Sequence, residues 1–187
     1  VEHHLPAETV VPQDRRVDGV KVRRPRALQL DQIMWREVNI SNLAAIEKWK
    51  DYEAVTLTTD NREAVQNSDI LIFAVQPNQL EEILTEVRDL FTEKHVLIST
   101  ITGFKISRME GIVGADYPII RSMPNTAIAV GKSMTCLCSN TKGEKRVAIA
   151  EAIFNALGTT IAIEEEHMQA ATVICASGIA FWMRLIR

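Results

Sequence analysis

The chain holds 187 residues, 24% of them charged and 5% aromatic, with a formal net charge of −3; that leaves room for one domain and a piece of a second. Nearly balanced charge, with no basic stripe interleaved with aromatics, excludes nucleic acid as a partner. Three cysteines, an odd number with no secretory signal, point to free thiols in a reducing cytoplasm.

Residues 1–37 contain Arg15-Arg16, Arg23-Arg24-Pro25-Arg26 and prolines at 6, 12 and 25. They follow neither a strand nor a helix period and are read as an atypical N-terminal segment. From Val38 the pattern changes. Val38-Asn39-Ile40 reads as a strand end, followed by a helix from Leu43 to Lys50, then the short strand Val55-Thr56-Leu57. A brief helix starts at Asp60-Asn61-Arg62-Glu63, with Asp60 or Asn61 as N-cap. Ile70 to Val75 is the continuous apolar run of a buried parallel strand. Helix Asn78 to Phe91 sets Leu80, Ile83, Leu84, Val87, Leu90 and Phe91 on one face.

Val96 to Ser99 is the next strand, with a turn at Gly103, and strands at Ile119-Ile120 and Ser133 to Leu137 follow. Cys136 and Cys138 alternate on that last strand and are read as core residues. With no second Cys/His pair at ligand spacing, no metal site is expected. Glu144 to Leu157 reads as an amphipathic helix closed by Gly158 at C′, and Thr159 to Ile163 as the last strand. Strands alternating with helices predict an α/β fold, a doubly wound, mostly parallel sheet over residues 38–163. Glu164-Glu165-Glu166 suits a helix start through the macrodipole and marks a boundary. Met168 to Ile186 is nearly all apolar, but Gln169, Thr172, Ser177 and Gly178 interrupt it and Arg184 and Arg187 crowd its end. It is therefore read as a buried or subunit-interface helix, with no membrane partner.

The most informative run is Ile119 to Ala127, where an apolar strand ends in Arg121 and turns through Met123-Pro124-Asn125-Thr126. Pro124 fixes its own φ and restricts Met123 to extended conformations. The corner thus sits at the carboxyl end of a strand, where open α/β sheets bind ligands. This run resembles the Arg-x-Met-Pro-Asn-Thr signature of the pyrroline-5-carboxylate reductases, NAD(P)H enzymes that complete proline synthesis.

The resemblance extends from about residue 38 to the end. Ile40-Ser41-Asn42 lies where the family holds the adenosine ribose, and a Ser-Asn pair without an acid favours NADP(H) over NAD(H). Asp60 to Val65 resembles the family's Asn-containing segment beside the adenine, and Ser68 to Pro77 resembles its strand and Ala-Val-Lys-Pro turn, with Gln76 in place of Lys. Ser99 to Gly103 lies where the family has a small-residue turn near the nicotinamide. Ala170-Ala171-Thr172 and Cys175 to Phe181 resemble its Ala-x-Thr and Ser-Gly-Ser-Gly-Pro-Ala-Tyr segments; without the Pro, a simpler helix is expected here.

What this resemblance implies is a Rossmann-like NADP-binding domain (38–163) followed at 164–187 by the first helix of an α-helical dimerisation domain, most of which is missing. It implies cofactor contacts from Ser41, Asn42, Asn61, Ala74, Val75, Gln76, Pro77, Met123, Pro124 and Asn125. Substrate contacts would come from Ser177, Gly178 and Glu166, although a cap is the preferred reading of Glu166. The substrate would be 1-pyrroline-5-carboxylate and the assembly a homodimer or higher homo-oligomer. Thr172 is read as a hydroxyl bonded back to its own helix.

The family's Gly-x-Gly-x-x-Gly turn has no counterpart, because Gly19 is the only glycine before Gly103; weakened cofactor affinity is expected. Two rivals remain. A hydroxyacid dehydrogenase relative would carry a catalytic Lys on the long helix, but no Lys follows Lys145. A non-catalytic, dimerising Rossmann-like module would fold without binding nicotinamide.

Overall fold

The computed structural model describes Glu37–Asn39 and residues 56–186. Ser41, Asn42, the expected helix from Leu43 to Lys50 and most of the segment 1–37 lie outside these residues. Strands β1 (Glu37–Asn39) and β2 (Thr56–Thr58) pair in parallel as a sheet of their own, separate from the main one. The main sheet runs β3 (Ile70–Phe73), β4 (Val96–Ser99), β5 (Ile119–Met123), β6 (Ser133–Ser139) and β7 (Gly158–Ala162) in that order. All neighbours are parallel except β5 and β6. That exception follows from chain length: the Pro124–Lys132 connection holds only a 3₁₀ turn and is too short for a parallel crossover.

Alternation along the strands loads both faces, as a doubly wound sheet requires. Leu71, Phe73, Leu97, Ile119, Cys136 and Cys138 face one core with Leu80, Leu84, Val87 and Met109. Val96, Ile98, Ile120 and Leu137 face the other with Ala150, Ile153 and Phe154. The helices supplying these layers are α1 (Asn61–Gln66), α2 (Pro77–Val87), α3 (Ile106–Val113), α4 (Thr141–Glu144) and α5 (Val147–Asn155). Asp60 is the N-cap of α1, its carboxylate accepting from the Arg62 and Glu63 N–H groups. The apolar face expected on α2 is the buried one, with Leu80, Leu84 and Val87 fully enclosed.

Several expectations need correction. The helix α3 was not expected: its eight residues give a stripe of two turns, with Ile106, Met109 and Val113 buried and Ile112 packed beside them. The helix expected from Glu144 to Leu157 is shorter, Val147–Asn155, and Glu144 instead ends the separate turn α4, which Asn140 caps through its side chain. Gly158 does not close a helix; it opens β7 at φ 151°, and a Cβ there would lie 2.0 Å from the Ser133 carbonyl oxygen. Both β5 and β6 run two or more residues further than expected, so Arg121 and Ser122 are strand residues.

The C-terminal segment is not a simple helix either. A 3₁₀ turn, Glu165–His167, leads into α6 (Met168–Ala171), a π-helical stretch (Thr172–Ser177) and α7 (Gly178–Leu185). The Thr172 hydroxyl donates to Met168 O at 2.8 Å, a bond that competes with the helix ladder. Gly178 N–H reaches back five residues to Val173 O, and only a glycine tolerates that carbonyl 2.9 Å from its Cβ position. Among the described residues, no helix is long and apolar enough to cross a membrane.

Candidate functional site

Parallel pairing brings three loops to one edge. Phe73 is level with Ser99, and Ser99 with Arg121, so β3, β4 and β5 deliver their chains to the same carboxyl side. That is the side on which doubly wound sheets bind ligands. The first loop, Ala74–Gln76, leads into α2, whose first residue Pro77 has no N–H that needs a partner. Gln79 Oε1 accepts from Gln76 N–H at 3.2 Å and closes this turn. Ala74, Gln76 and Pro77 are exposed, with Val75 half-buried.

The second loop begins at Thr100, whose N–H and hydroxyl both donate to Phe73 O, at 3.0 and 3.1 Å. Gly103 turns it at φ 77°. The Thr102 hydroxyl reaches Met123 Sδ at 3.7 Å, tying the second loop to the third. In the third loop, Asn125 is held twice. Its N–H donates to Ser133 Oγ at 3.2 Å, while its Oδ1 accepts from Ala127 N–H at 3.1 Å and caps the 3₁₀ turn Thr126–Val130. Ala74 to Pro77 and Met123 to Asn125 therefore lie on the same carboxyl edge, with the second loop between them.

The other expected residues are placed differently. Asn61, first residue of α1, donates its side-chain amide to Glu86 at 2.8 Å. Beside it Arg62 makes a bidentate pair with Asp89, whose carboxyl is held below its ordinary range chiefly by that hydrogen bond. Ser177 closes the π-helical stretch, exposed, with half-buried Gly178 after it. Glu166 is exposed, caps nothing, and comes only within 4.0 Å of His167 Nε2. Its neighbour Glu165 instead carries the acidic stretch's structural contact. One of its oxygens accepts from Arg121 Nη1 at 2.7 Å and from Ile106 N–H at 2.8 Å.

Sequence reasoning passed over Glu165. The signal was Arg121 itself, since a guanidinium inside a sheet requires a carboxylate. The paired thiols lie beside this node: Met123 is level with Cys136 and Arg121 with Cys138. Burial raises the Cys136 thiol, with Cys175 adding to the shift, and pushes Cys138 up to about 11 against the opposing pull of Arg121. Among the described residues, no group of three His, Cys, Asp or Glu could hold a metal ion.

The family described as NADP oxidoreductase, coenzyme F420-dependent, matches residues 28–103. Pyrroline-5-carboxylate reductase 1 of Dictyostelium discoideum is 39% identical over 78% of this chain and 28% of its own length. A pyrroline-5-carboxylate reductase from Coxiella burnetii superposes with a TM-score of 0.75 at 28% identity, covering 80% of this chain and 56% of that one. The Plasmodium falciparum pyrroline carboxylate reductase with NADP bound gives 0.63 at 30% identity, covering 73% of this chain and 52% of that one. The chain thus spans little more than half of the solved relatives, and over that span its fold superposes on theirs. By sequence and by fold, this chain belongs to the pyrroline-5-carboxylate reductase family.

Proposed function

We propose that the chain contributes the cofactor-binding part of an NADP(H)-dependent reductase that converts 1-pyrroline-5-carboxylate to L-proline in the cytoplasm. The observation that carries this reading is the convergence of the three loops at one sheet edge. The edge fits a nicotinamide cofactor: small or unbranched groups (Ala74, Thr100, Gly103) leave room, and a tethered Asn125 gives a fixed backbone wall. When bound, the cofactor supplies hydride to the electrophilic imine carbon.

In this reading Ala74, Val75, Gln76 and Pro77 flank the cofactor on one side, with Met123, Pro124 and Asn125 on the other. Asn61, Ser41 and Asn42 face its adenosine end, where the absence of an acid suits a 2′-phosphate and favours NADP(H) over NAD(H). Ser177 and Gly178 approach the substrate from the C-terminal helix, and Glu166 from the turn that precedes it. Rigid placement suffices for catalysis, because aligning donor and acceptor supplies most of what the step needs. Residues 164–186 begin a dimerisation domain, and a second copy covers the apolar side chains of α7.

The test is fluorescence titration of the 187-residue chain with NADPH and NADH, followed by a reductase assay with 1-pyrroline-5-carboxylate. Saturable binding, tighter for NADPH and weakened by Asn125→Ala and Pro124→Gly, is expected. A folded dimer with no affinity for either nucleotide would replace the reductase with a non-catalytic module.

A further inference from the structure

Arg121 sits within the sheet with its side chain only 7% exposed, and Glu165 neutralises it. The carboxylate oxygen that takes the Arg121 hydrogen bond also takes the Ile106 N–H. Ile106 is the first residue of α3, whose N-cap Lys105 offers no side-chain cap. An acid 59 residues further along therefore serves as that cap, and its charge suits a helix N-terminus. One oxygen atom thus joins three pieces of chain. The first is β5, two residues before Met123. The second is the Thr100–Lys105 loop, which ends at α3. The third is the turn that launches α6 and, beyond it, Ser177 and Gly178.

We propose that Glu165 is a positioning residue of the site: its bridging carboxylate holds the second loop of the cofactor edge and the base of the C-terminal helix in a fixed relation. The proposal rests on the reductase reading for its catalytic consequence, though the clamp itself is independent of it. The loop is short and already tied to β3 by Thr100 and to Met123 by Thr102, so fixing its far end at Ile106 leaves it little freedom. The helix base has the buried Met168 as its apolar anchor and Glu165 as its polar one. Losing the carboxylate therefore frees both at once.

The full chain and its Glu165→Ala and Glu165→Gln variants would be compared by amide hydrogen exchange and NADPH titration. Glu165→Ala is expected to exchange about tenfold faster over both 100–107 and 165–178, with β3 and β5 unchanged, as loss of a charged hydrogen bond in a local opening unit predicts. Glu165→Gln keeps an acceptor for Ile106 N–H but leaves the buried Arg121 without its counter-charge, so it is expected between the parent and the Ala variant in exchange over both segments and in NADPH affinity, while the Ala variant binds NADPH about tenfold more weakly. If Glu165→Ala does not fold, Glu165→Asp, one methylene short, is expected to open both segments together. Faster exchange in one segment alone, or variants indistinguishable from the parent, would overturn the clamp. Both segments opening with NADPH affinity unmoved would overturn its role at the site. A parent chain that binds no NADPH removes the reductase reading, and the exchange data still decide whether the clamp exists.

Discussion

The parallel half of the sheet and the C-terminal helical segment are both rich in large apolar side chains. Leu97, Ile98 and Ile119 are completely enclosed, whereas Phe181, Trp182, Leu185 and Ile186 are 61–80% exposed. The strands have a helix layer on each face; α7 meets no such layer within the described chain. Equal hydrophobicity therefore yields different energetics, because the driving force scales with area removed from water and not with composition. Exposed patches of this kind mark association surfaces.

Substitutions can break the contrast most sharply in the sheet. Leu97→Ala is expected to cost about 2–5 kcal/mol in urea unfolding, combining lost transfer energy with a cavity. Gly158→Ala ranks next, at about 2–3 kcal/mol, since its methyl meets the Ser133 backbone at an unfavourable φ. The helix should respond in the opposite way. Phe181→Ser with Trp182→Ser should change the unfolding of dilute chain by less than about 0.5 kcal/mol, as exposed sites do. The same pair should shift sedimentation toward the monomer, and an unchanged sedimentation profile would remove the helix as an interface.

The smallest expected effect is alkaline. Cys138 ionises at about 11 in the fold against an ordinary value of 9.0, and Cys136 is also raised. The unfolded chain therefore releases these protons first. The contribution of the neutral thiols is complete below pH 9 and falls as pH rises toward 11. Unfolding midpoints measured from pH 8 to 10.5 should decline, and Cys138→Ala should flatten part of that decline.

Local pattern carried much of this architecture. The runs at Ile70 and Val96 announced buried strands, because a strand covered on both faces has no polar alternation to obscure it. The spacing Leu80-Leu84-Val87 announced α2; the cap of α1 was narrowed to Asp60 or Asn61, and the structure selects Asp60. The Met-Pro-Asn corner was legible because proline restricts φ in any context. By contrast α3 has only eight residues and a thin apolar stripe, too little for periodicity to register. Gly158 reads equally well as a helix C′ or a strand start when the Ser133 backbone that crowds it is unknown.

The residues that depended on distant partners stayed hidden for the same reason. Arg121 and Glu165 are 44 positions apart, so no window of sequence joins them. Their pairing arises only once β5 is buried and the chain returns from β7 past the N-terminus of α3. The π-helical stretch likewise needs Val173 O and Gly178 N–H to meet, which no helix propensity encodes. Composition, apolar period and the proline corner thus specified the fold class and the sheet edge proposed for the cofactor. The choice among near-equal local conformations, and the partner of each buried charge, came from packing, because desolvation and steric exclusion act only between segments already brought together.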